Sequence, residues 1–239
     1  MTDGMMINEM MRDPLLSDYS IIMVDDIHER TLASAMSLGL LKKIRKKRPD
    51  LKIIISSAIL EAEKFLAFMQ EEKFPAKILS IEGGAYPVDI YYLKSPCHNY
   101  VVKALALVKS IHKSKPKGDI LVFLTGQREI ELFCKILRES KNSNSILALP
   151  LYSGLPIEAQ MKVFRRAGPG CRKVIVSTNI AESSVTIDGI VYVIDSCFVK
   201  IKMYDYERKI ESLKVVPLSK ASCKQRSGRA GRIRSNYQF

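Results

Sequence analysis

The stretch from Asp119 to Arg138, DILVFLTGQREIELFCKILR, decides the fold class of this chain. Residues 119–124 form an apolar, largely β-branched run typical of a buried strand, and residues 127–138 carry apolar side chains at helical spacing. A buried strand followed by a short loop and an amphipathic helix is the repeating unit of a parallel α/β sheet.

The same alternation extends along the chain in both directions. We predict strands at residues 19–24, 51–56, 77–81, 88–93, 119–124, 146–149, 173–177 and 191–195, and helices at 31–47, 61–70, 100–112, 127–138 and 156–165. Residues 198–216 are typical of a β-hairpin around the polar turn 204–209. The pattern predicts an α/β protein with parallel sheets flanked by helices, and such sheets bind ligands beyond the carboxyl ends of their strands.

The alternation is interrupted near residues 94–99, where Pro96 and polar residues follow an apolar run. We therefore expect two closely docked domains, one spanning residues 1–94 and the other residues 95–239, which is a reasonable division for a chain of 239 residues. The sequence contains neither a long flexible linker nor an internal repeat at solenoid periods.

The composition favours an intracellular protein that has no membrane role. The 38 Lys and Arg residues exceed the 25 Asp and Glu residues, so the formal net charge is +13. Such an excess raises the affinity for phosphate groups, although a basic surface without a partner is an equal alternative on charge alone. Five cysteines without a C-x-x-C pair, and only three histidines, argue against a zinc site and indicate reduced thiols. No apolar run is long enough to cross a bilayer.

Two adjacent carboxylates, Asp25 and Asp26, directly follow the strand predicted at residues 19–24. Crowding two negative charges at a strand end is costly unless a cation or a base role uses them. In nucleotide hydrolases one such carboxylate holds Mg²⁺, and a second orients and deprotonates the attacking water. A mixed-charge surface loop that caps the next helix is the alternative, and this motif taken alone favours that loop, because short acidic runs are common.

Arginines recur at every third position in the segment QRSGRAGR, residues 225–232. On a helix this spacing would place Arg226, Arg229 and Arg232 along one side. The planar guanidinium group suits phosphoryl oxygens and can stabilise charge that develops on a transferred phosphoryl group. A basic RNA-binding or solvated helix is the alternative, but the glycines within the arginine pattern favour a functional site.

The segment VSTNIAESSVTIDG, residues 176–189, follows a predicted strand and is rich in hydroxyl and amide side chains. Such groups contact phosphate and ribose oxygens without reading a base sequence. They are also the usual N-caps of helices, and the two interpretations are compatible.

Taken together, these motifs resemble those of the DEAH-box family of ATP-dependent RNA helicases in superfamily 2. In chain order the matching segments are residues 2–5, 25–30 (DDIHER for DEAHER), 57–59 (SAI for SAT), 123–127 (FLTGQ), 177–189 and 225–232. The resemblance covers essentially the whole chain, and the ordered series is far more specific than any one motif. It implies two RecA-like lobes, of which the first is incomplete in this sequence.

The resemblance also implies roles for individual residues. The catalytic set would be Asp25, which would hold Mg²⁺, with Asp26, His28, Gln225, Arg229 and Arg232. Phe164 and Asp188 would bind the base and ribose of ATP, Ser57 and Ile59 would couple nucleotide state to movement, and Thr2, Gly126, Thr178 and Asn179 would contact the RNA backbone. An ordinary core aromatic is the competing interpretation of Phe164. The implied cofactors are ATP and Mg²⁺, and the implied partners are RNA and spliceosomal or other ribonucleoprotein components, in the nucleus rather than the cytoplasm.

The sequence departs from the family pattern at chemically sensitive positions. It contains no G-x-x-x-x-G-K-[ST] loop, whose amides and lysine cradle the phosphates of ATP, and the family's C-terminal domains are not expected within it. Asp26 replaces a glutamate and Ile59 replaces a threonine. We therefore expect a truncated helicase that hydrolyses ATP only at background rate on its own. The alternative is a catalytically inactive, helicase-like module that binds RNA or the spliceosome.

Overall fold

The computed structural model describes residues 1–27, 31–57, 62–70, 75–81, 86–140, 145–183, 185–231 and 236–238, the last three by their backbone alone. The chain divides into two compact units, Met1–Glu82 and Gly83–Phe239. Each unit has its own parallel sheet, as the alternation of strand and helix patterns predicts.

The first unit combines two short parallel strands with three helices. Its elements are α1 (Asp3–Arg12), β1 (Ile21–Val24), α2 (Leu32–Lys47), β2 (Lys52–Ile55) and α3 (Ala62–Gln70), and β1 pairs with β2 in parallel. Ile22 and Val24 of β1 are buried in a cluster with Leu38 of α2, whereas Ile21 and Met23 are exposed. The alternation shows that one face of this strand pair forms the core of the unit.

The second unit contains a six-stranded sheet and a separate hairpin. Its elements are β3 (Val88–Ile90), α4 (Tyr100–Ser114), β4 (Asp119–Phe123), α5 (Gln127–Arg138), β5 (Ile146–Leu151), α6 (Ile157–Met161), β6 (Arg172–Ser177), β7 (Ile190–Asp195), β8 (Phe198–Asp205), β9 (Ile210–Pro217), α7 (Lys220–Gly228) and β10 (Asn236–Gln238). The sheet order is β3-β10-β7-β4-β6-β5 with parallel pairings, and β8 pairs with β9 in antiparallel. None of the helices in the described ranges is both long and apolar enough to span a membrane.

Both faces of the six-stranded sheet are buried at its centre. Ile120 and Val122 of β4 belong to one apolar cluster, which includes side chains of α4 and α5. Leu121 and Phe123 belong to a second cluster, which includes Val163 from the turn after α6. A strand that is covered on both faces has apolar side chains at successive positions. This explains the continuous apolar run of residues 120–124 in the sequence.

Most of the predicted elements are present, with ends that differ by a few residues. The helix predicted at residues 127–138 coincides with α5, and the predicted hairpin is β8–β9. The strand predicted at residues 77–81 is wrong: Leu79 and Ile81 are 84% and 85% exposed, and this apolar run has no sheet neighbour among the described residues. The helix predicted at 156–165 is reduced to α6 and a 3-10 turn, Lys162–Phe164.

The boundary between the two units lies earlier in the chain than the sequence predicts. The expected boundary lies after residue 94, whereas the structural division lies between residues 82 and 83. The reason is β3, which pairs with β10 in the register Asn236↔Val88 and is therefore part of the sheet of the second unit. Strand β10 was not predicted from the sequence.

Candidate functional site

The acidic pair lies at the carboxyl end of β1, where the chain leaves the sheet of the first unit. The amide of Asp26 donates to Oδ1 of Asp25 (2.9 Å), and the hydroxyl of Ser56 donates to the same oxygen. Asp25 is exposed and Asp26 is half-buried. An exposed carboxylate that is fixed through one of its oxygens is suited to hold a hydrated Mg²⁺ ion.

A sharp turn orients the second carboxylate. Asp26 has a φ of 50°, in the left-handed region that Gly, Asn and Asp adopt more readily than other residues. Successive side chains of a strand point to opposite faces of the sheet. The turn at Asp26 ends this alternation, so the carboxylates of Asp25 and Asp26 are not held on opposite faces. The sequence predicted the position of the two carboxylates at a strand end, but it gave no signal for the positive φ of Asp26.

Ser56, which follows β2, joins the end of β2 to the end of β1 by backbone hydrogen bonds. The amide of Ser56 donates to the carbonyl of Val24 (2.9 Å), and the amide of Ile27 donates to the carbonyl of Ser56 (3.2 Å). Ser57, the predicted coupling residue, is next in the chain and half-buried. The sequence contained no signal for Ser56, although Ser56 makes hydrogen bonds to both Val24 and Asp25. His28 and Ile59, which the family resemblance also marks, lie outside the described residues.

Thr2, a predicted RNA contact, is the N-cap of α1. Its side chain accepts a hydrogen bond from the amide of Met5 (3.3 Å), which satisfies one of the open donors of the first turn. Thr31 caps α2 in the same way, and its hydroxyl also lies 3.4 Å from Oδ2 of Asp3. The first residue of α1 is thus hydrogen-bonded to the N-cap of α2. The RNA contact of Thr2 stays a prediction.

Three further predicted RNA contacts lie together at the carboxyl edge of the sheet in the second unit. Gly126 follows β4, and Thr178 and Asn179 follow β6, the parallel neighbour of β4. The amide of Leu124 donates to the carbonyl of Ser177 (2.9 Å), which joins the two loops. Asn179 is exposed, so its amide side chain is accessible to a ligand above this edge.

A network missed by the sequence reasoning fixes the loop that carries Gly126. The amide and hydroxyl of Thr125 donate to Oε2 of Glu129 (3.1 and 2.8 Å), and the hydroxyl of Tyr100 donates to Oε1 (2.5 Å). Burial, followed by the bond to Glu129, raises the pKa of Tyr100. Because Glu129 lies in the first turn of α5, it holds the loop as a capping-box glutamate does, and the T-x-x-x-E spacing was the available signal.

Arg226 is an internal anchor and not part of an exposed row of arginines. Its side chain is 1% exposed, and it donates from Nε to Glu182 (3.0 Å) and from Nη1 to Asp195 (2.8 Å). The guanidinium carbon also lies 4.6 Å from the centroid of the Phe123 ring. These contacts connect α7 to the loop after β6, to the end of β7 and to β4. Gln225, its neighbour, is half-buried.

The helix ends before the arginine series does. Helix α7 stops at Gly228, and Arg229 is its C-cap, so Arg226 lies within the helix and Arg229 directly after it. Arg229 donates from Nη1 to the carbonyl of Val185 (3.0 Å) and from Nη2 to the carbonyl of Glu182. It therefore connects Glu182 and Val185 to the end of α7. Arg232 lies outside the described residues.

Phe164 and Asp188, the predicted nucleotide contacts, line one cavity of about 730 Å³ in the second unit. The other lining residues are mainly basic or small, and they include His112, Lys115, Lys117, Arg166, Arg172 and Lys173. Phe164 is 42% exposed, which is not expected of an ordinary core aromatic. Burial, with a contribution from Arg172, lowers the pKa of His112, so the basic character of the cavity at neutral pH comes from its Lys and Arg side chains.

A buried ion pair fixes the turn that presents Phe164. The ammonium group of Lys173 donates to the carbonyls of Val163 (2.7 Å) and Arg165 (3.1 Å), on either side of Phe164, and lies 3.7 Å from Oδ2 of Asp119. Burial raises the pKa of Asp119, although Lys173 opposes this effect. Gly189 has a φ of 89°, and a Cβ there would lie 2.9 Å from Oδ2 of Asp119. The site thus depends on a glycine at this position.

Comparison with known proteins gives consistent matches. The helicase conserved C-terminal domain family matches residues 102–234, more than half of the chain. Human "Probable ATP-dependent RNA helicase DHX35" is 49% identical over 248 residues, which cover 98% of this chain and 35% of that protein. The "Pre-mRNA-splicing factor ATP-dependent RNA helicase prp22" of Schizosaccharomyces pombe is 49% identical over 237 residues, which cover 97% of this chain and 20% of that protein. The chain thus spans about a third or less of these relatives.

The fold agrees with the sequence matches. The crystal structure of the E. coli DExH-box NTPase HrpB superposes with a TM-score of 0.82 and 32% identity, over 98% of this chain and 29% of that chain. The parallel sheets with flanking helices are therefore those of a RecA-like helicase fold, as predicted. Family model, relatives and fold agree, and the chain belongs to the DEAH-box family of superfamily 2 helicases.

Proposed function

We propose that this chain is the nucleotide- and RNA-contacting part of an ATP-dependent RNA helicase that couples ATP hydrolysis to RNA translocation and unwinding. The observation that carries the proposal is the shared cavity of Phe164 and Asp188, the two residues to which the family resemblance gives the base and ribose of ATP. A half-exposed ring beside an acidic residue and several cations offers groups for a base, a ribose and phosphates.

The hydrolytic roles follow the family pattern. Asp25 holds hydrated Mg²⁺, Asp26 orients and deprotonates the attacking water, and His28 relays the nucleotide state. Gln225, Arg229 and Arg232 contact the γ-phosphate, and Ser57 and Ile59 couple its loss to movement. The bonds of Arg229 to the carbonyls of Val185 and Glu182 support a role in which the guanidinium also orients the loop that leads to Asp188.

The RNA roles belong to the carboxyl edge of the second sheet and to the start of the chain. Gly126, Thr178, Asn179 and Thr2 contact the RNA backbone, which accounts for the absence of a base-reading pattern among them. The formal net charge of +13 supports a polyanionic ligand. One relative is named as a pre-mRNA-splicing factor, and we extend this to a nuclear ribonucleoprotein partner for the present chain.

Binding of a fluorescent ATP analogue with Mg²⁺ tests the nucleotide site, and the chain contains no Trp to interfere with the signal. Stacking of a base on an aromatic ring contributes about 1–3 kcal/mol, so Phe164→Ala should weaken binding roughly 5- to 150-fold. Tyr206→Ala is the matched control, because Tyr206 lies in the hairpin turn and is 85% exposed. Equal affinities for wild type and Phe164→Ala would remove Phe164 from the nucleotide site.

A catalytically inactive RNA- or spliceosome-binding module is the second candidate. It is favoured by the shorter carboxylate of Asp26, since an error of about 1 Å in the position of a catalytic group can reduce the rate by about 100-fold. Phosphate release by wild type and Arg229→Ala separates the candidates. RNA-stimulated turnover that falls in the variant supports the enzyme, whereas salt-sensitive RNA binding with equal background turnover supports the module.

A further inference from the structure

Three potential metal ligands meet where β7 ends and α7 begins. Asp195 is the last residue of β7, Cys197 follows it by two residues, and Cys223 lies in α7. One carboxylate oxygen and the two sulfur atoms all lie within 4.8 Å of one another. None of these residues has a role in the nucleotide or RNA sites described above, so the cluster is a separate feature of the second unit.

The carboxylate of Asp195 is only half satisfied by the protein. Its side chain is 1% exposed. Oδ1 accepts hydrogen bonds from Nη1 of Arg226 (2.8 Å) and from the amide of Cys197 (2.9 Å), whereas Oδ2 is buried and has no hydrogen-bond partner among the described residues. A buried carboxylate oxygen without a donor is costly, and it indicates that another group satisfies it.

The backbone places the sulfur of Cys197 in this cluster at a conformational cost. Cys197 has a φ of 58°, a region that residues with a Cβ rarely occupy. Two hydrogen bonds hold it there: its amide donates to Asp195, and its carbonyl accepts from the amide of Leu218 (2.9 Å). A strained residue that is held by its surroundings is typical of a functional position.

We propose that Asp195, Cys197 and Cys223 bind one thiophilic cation of the Zn²⁺ class, with a water molecule as the fourth ligand. Two metal–sulfur bonds and one metal–oxygen bond form, and the two thiol protons pass to solvent. Tetrahedral Zn²⁺ with bonds of about 2.0–2.3 Å requires ligand atoms roughly 3.5–3.8 Å apart, which small side-chain movements supply here. Thiolates select Zn²⁺ over Mg²⁺, so this site is chemically distinct from Asp25.

The surroundings fit the proposal. Cys197 is exposed, which provides an entry path and space for the water ligand. Arg226 stays bonded to Oδ1 of Asp195 and to Glu182, and it therefore orients the ligand carboxylate as an outer-shell partner. The ion would link the end of β7 to α7, the helix that carries Arg226, the first arginine of the series. The site is not visible in the spacing of the cysteines, because Cys223 lies 26 positions after Cys197 in the chain.

Metal titration of the 239-residue chain, in a phosphine reductant, tests the site. Zn²⁺ uptake by equilibrium dialysis and sulfur-to-Cd²⁺ charge-transfer absorbance should both show one ion per chain. Cys197→Gly and Cys223→Ser should each weaken binding by about 100-fold or more, since even outer-shell changes cost about 10- to 100-fold. Cys197→Gly also relieves the positive φ, so loss of binding in this variant is not explained by misfolding.

Two further measurements locate the ion. Cys97→Ser and Cys171→Ser leave the cluster intact and should bind as wild type does. Zn²⁺ should slow alkylation of Cys197 and Cys223, mapped by mass spectrometry, without protecting the exposed Cys97, and it should raise the Tm of wild type but not of Cys197→Gly. Zn²⁺ and Cd²⁺ affinities that are equal in wild type and both cluster variants, or absent in wild type, would overturn the proposal. Neither result depends on nucleotide binding.

Discussion

Replacement of Arg226 by Gln should be the most destabilising single change in the second unit that leaves the apolar core intact. The substitution removes a cation that is 1% exposed and leaves the carboxylates of Glu182 and Asp195 without it; their side chains are 12% and 1% exposed. Breaking a buried ion pair by deleting one partner costs about 3–5 kcal/mol. The contact with the Phe123 ring contributes to the same loss, and we expect a total of about 4 kcal/mol.

Urea unfolding measures this loss. With a denaturant slope of about 2 kcal/mol per M, a loss of about 4 kcal/mol lowers the midpoint by roughly 2 M. Hydrogen exchange should show the same effect in the amides of β4 and β7, because Arg226 ties α7 to these strands through Phe123 and Asp195. Arg128→Gln, which removes an exposed arginine from α5, is the matched control and should change stability by less than about 0.5 kcal/mol.

A second substitution separates charge from packing. If unpaired carboxylates cause the loss, Glu182→Gln should be less harmful in the Arg226→Gln background than in wild type, with a coupling energy of about 1–3 kcal/mol. The reasoning would be refuted by an Arg226→Gln chain that unfolds within about 0.5 kcal/mol of the Arg128→Gln control, or by a coupling energy near zero. In either case the guanidinium would not anchor α7.

Three other predictions concern contacts around the site. Gly189→Ala should cost about 2–3 kcal/mol in urea unfolding, because the position has a φ of 89° and the new Cβ would meet Asp119 at 2.9 Å. Tyr100→Phe should cost about 1–2 kcal/mol by the same assay, because it removes a hydrogen bond to the Glu129 carboxylate. Cys134 should resist alkylation at pH 8 in the folded chain, because burial raises its pKa to about 12 and the thiolate is the reactive form.

Each of these three predictions has a matched control. Gly168→Ala should be close to neutral, since nothing lies within 4 Å of the added Cβ. Tyr206→Phe removes a hydroxyl from a side chain that is 85% exposed and should leave stability unchanged. Cys97, which is exposed, should be alkylated readily. A Gly189→Ala chain as stable as Gly168→Ala, a Tyr100→Phe chain as stable as Tyr206→Phe, or equal labelling of the two cysteines would each contradict the corresponding argument.

Local signals in the sequence were sufficient for the main elements of the fold. Thr31, Asn99 and Ser219 are N-caps whose side chains accept from the helix amides, as their residue types indicate. The core strands of the second unit are apolar at successive positions because both faces of the sheet are covered. Strand β10 could not be found in this way, since three residues carry too little periodicity to distinguish a strand from a loop.

The role of Arg226 depends on distant residues and was therefore hidden. Its ion-pair partners lie 44 and 31 positions away, and only the fold brings them to α7. From the sequence, the glycines within the arginine pattern favour a phosphate contact over a solvated helix, and neither interpretation predicts a buried ion pair. The positive φ of Asp26 was hidden for a related reason, because the loops after β1 and β2 determine it jointly through Ser56.

Phe164 shows how the fold argues against one of the two interpretations that the sequence left open, the ordinary core aromatic. A core aromatic would be buried on a regular helix, and the pattern at residues 156–165 allowed such a helix. Lys173 prevents it by binding the carbonyls on both sides of Phe164, which would otherwise be free to accept bonds from the next helical turn. The helix ends in a 3-10 turn, and the ring remains 42% exposed at the cavity. A buried lysine thus accounts for the exposure of an aromatic ring, which leaves the ring accessible to a ligand, and its contact with a nucleotide stays a prediction.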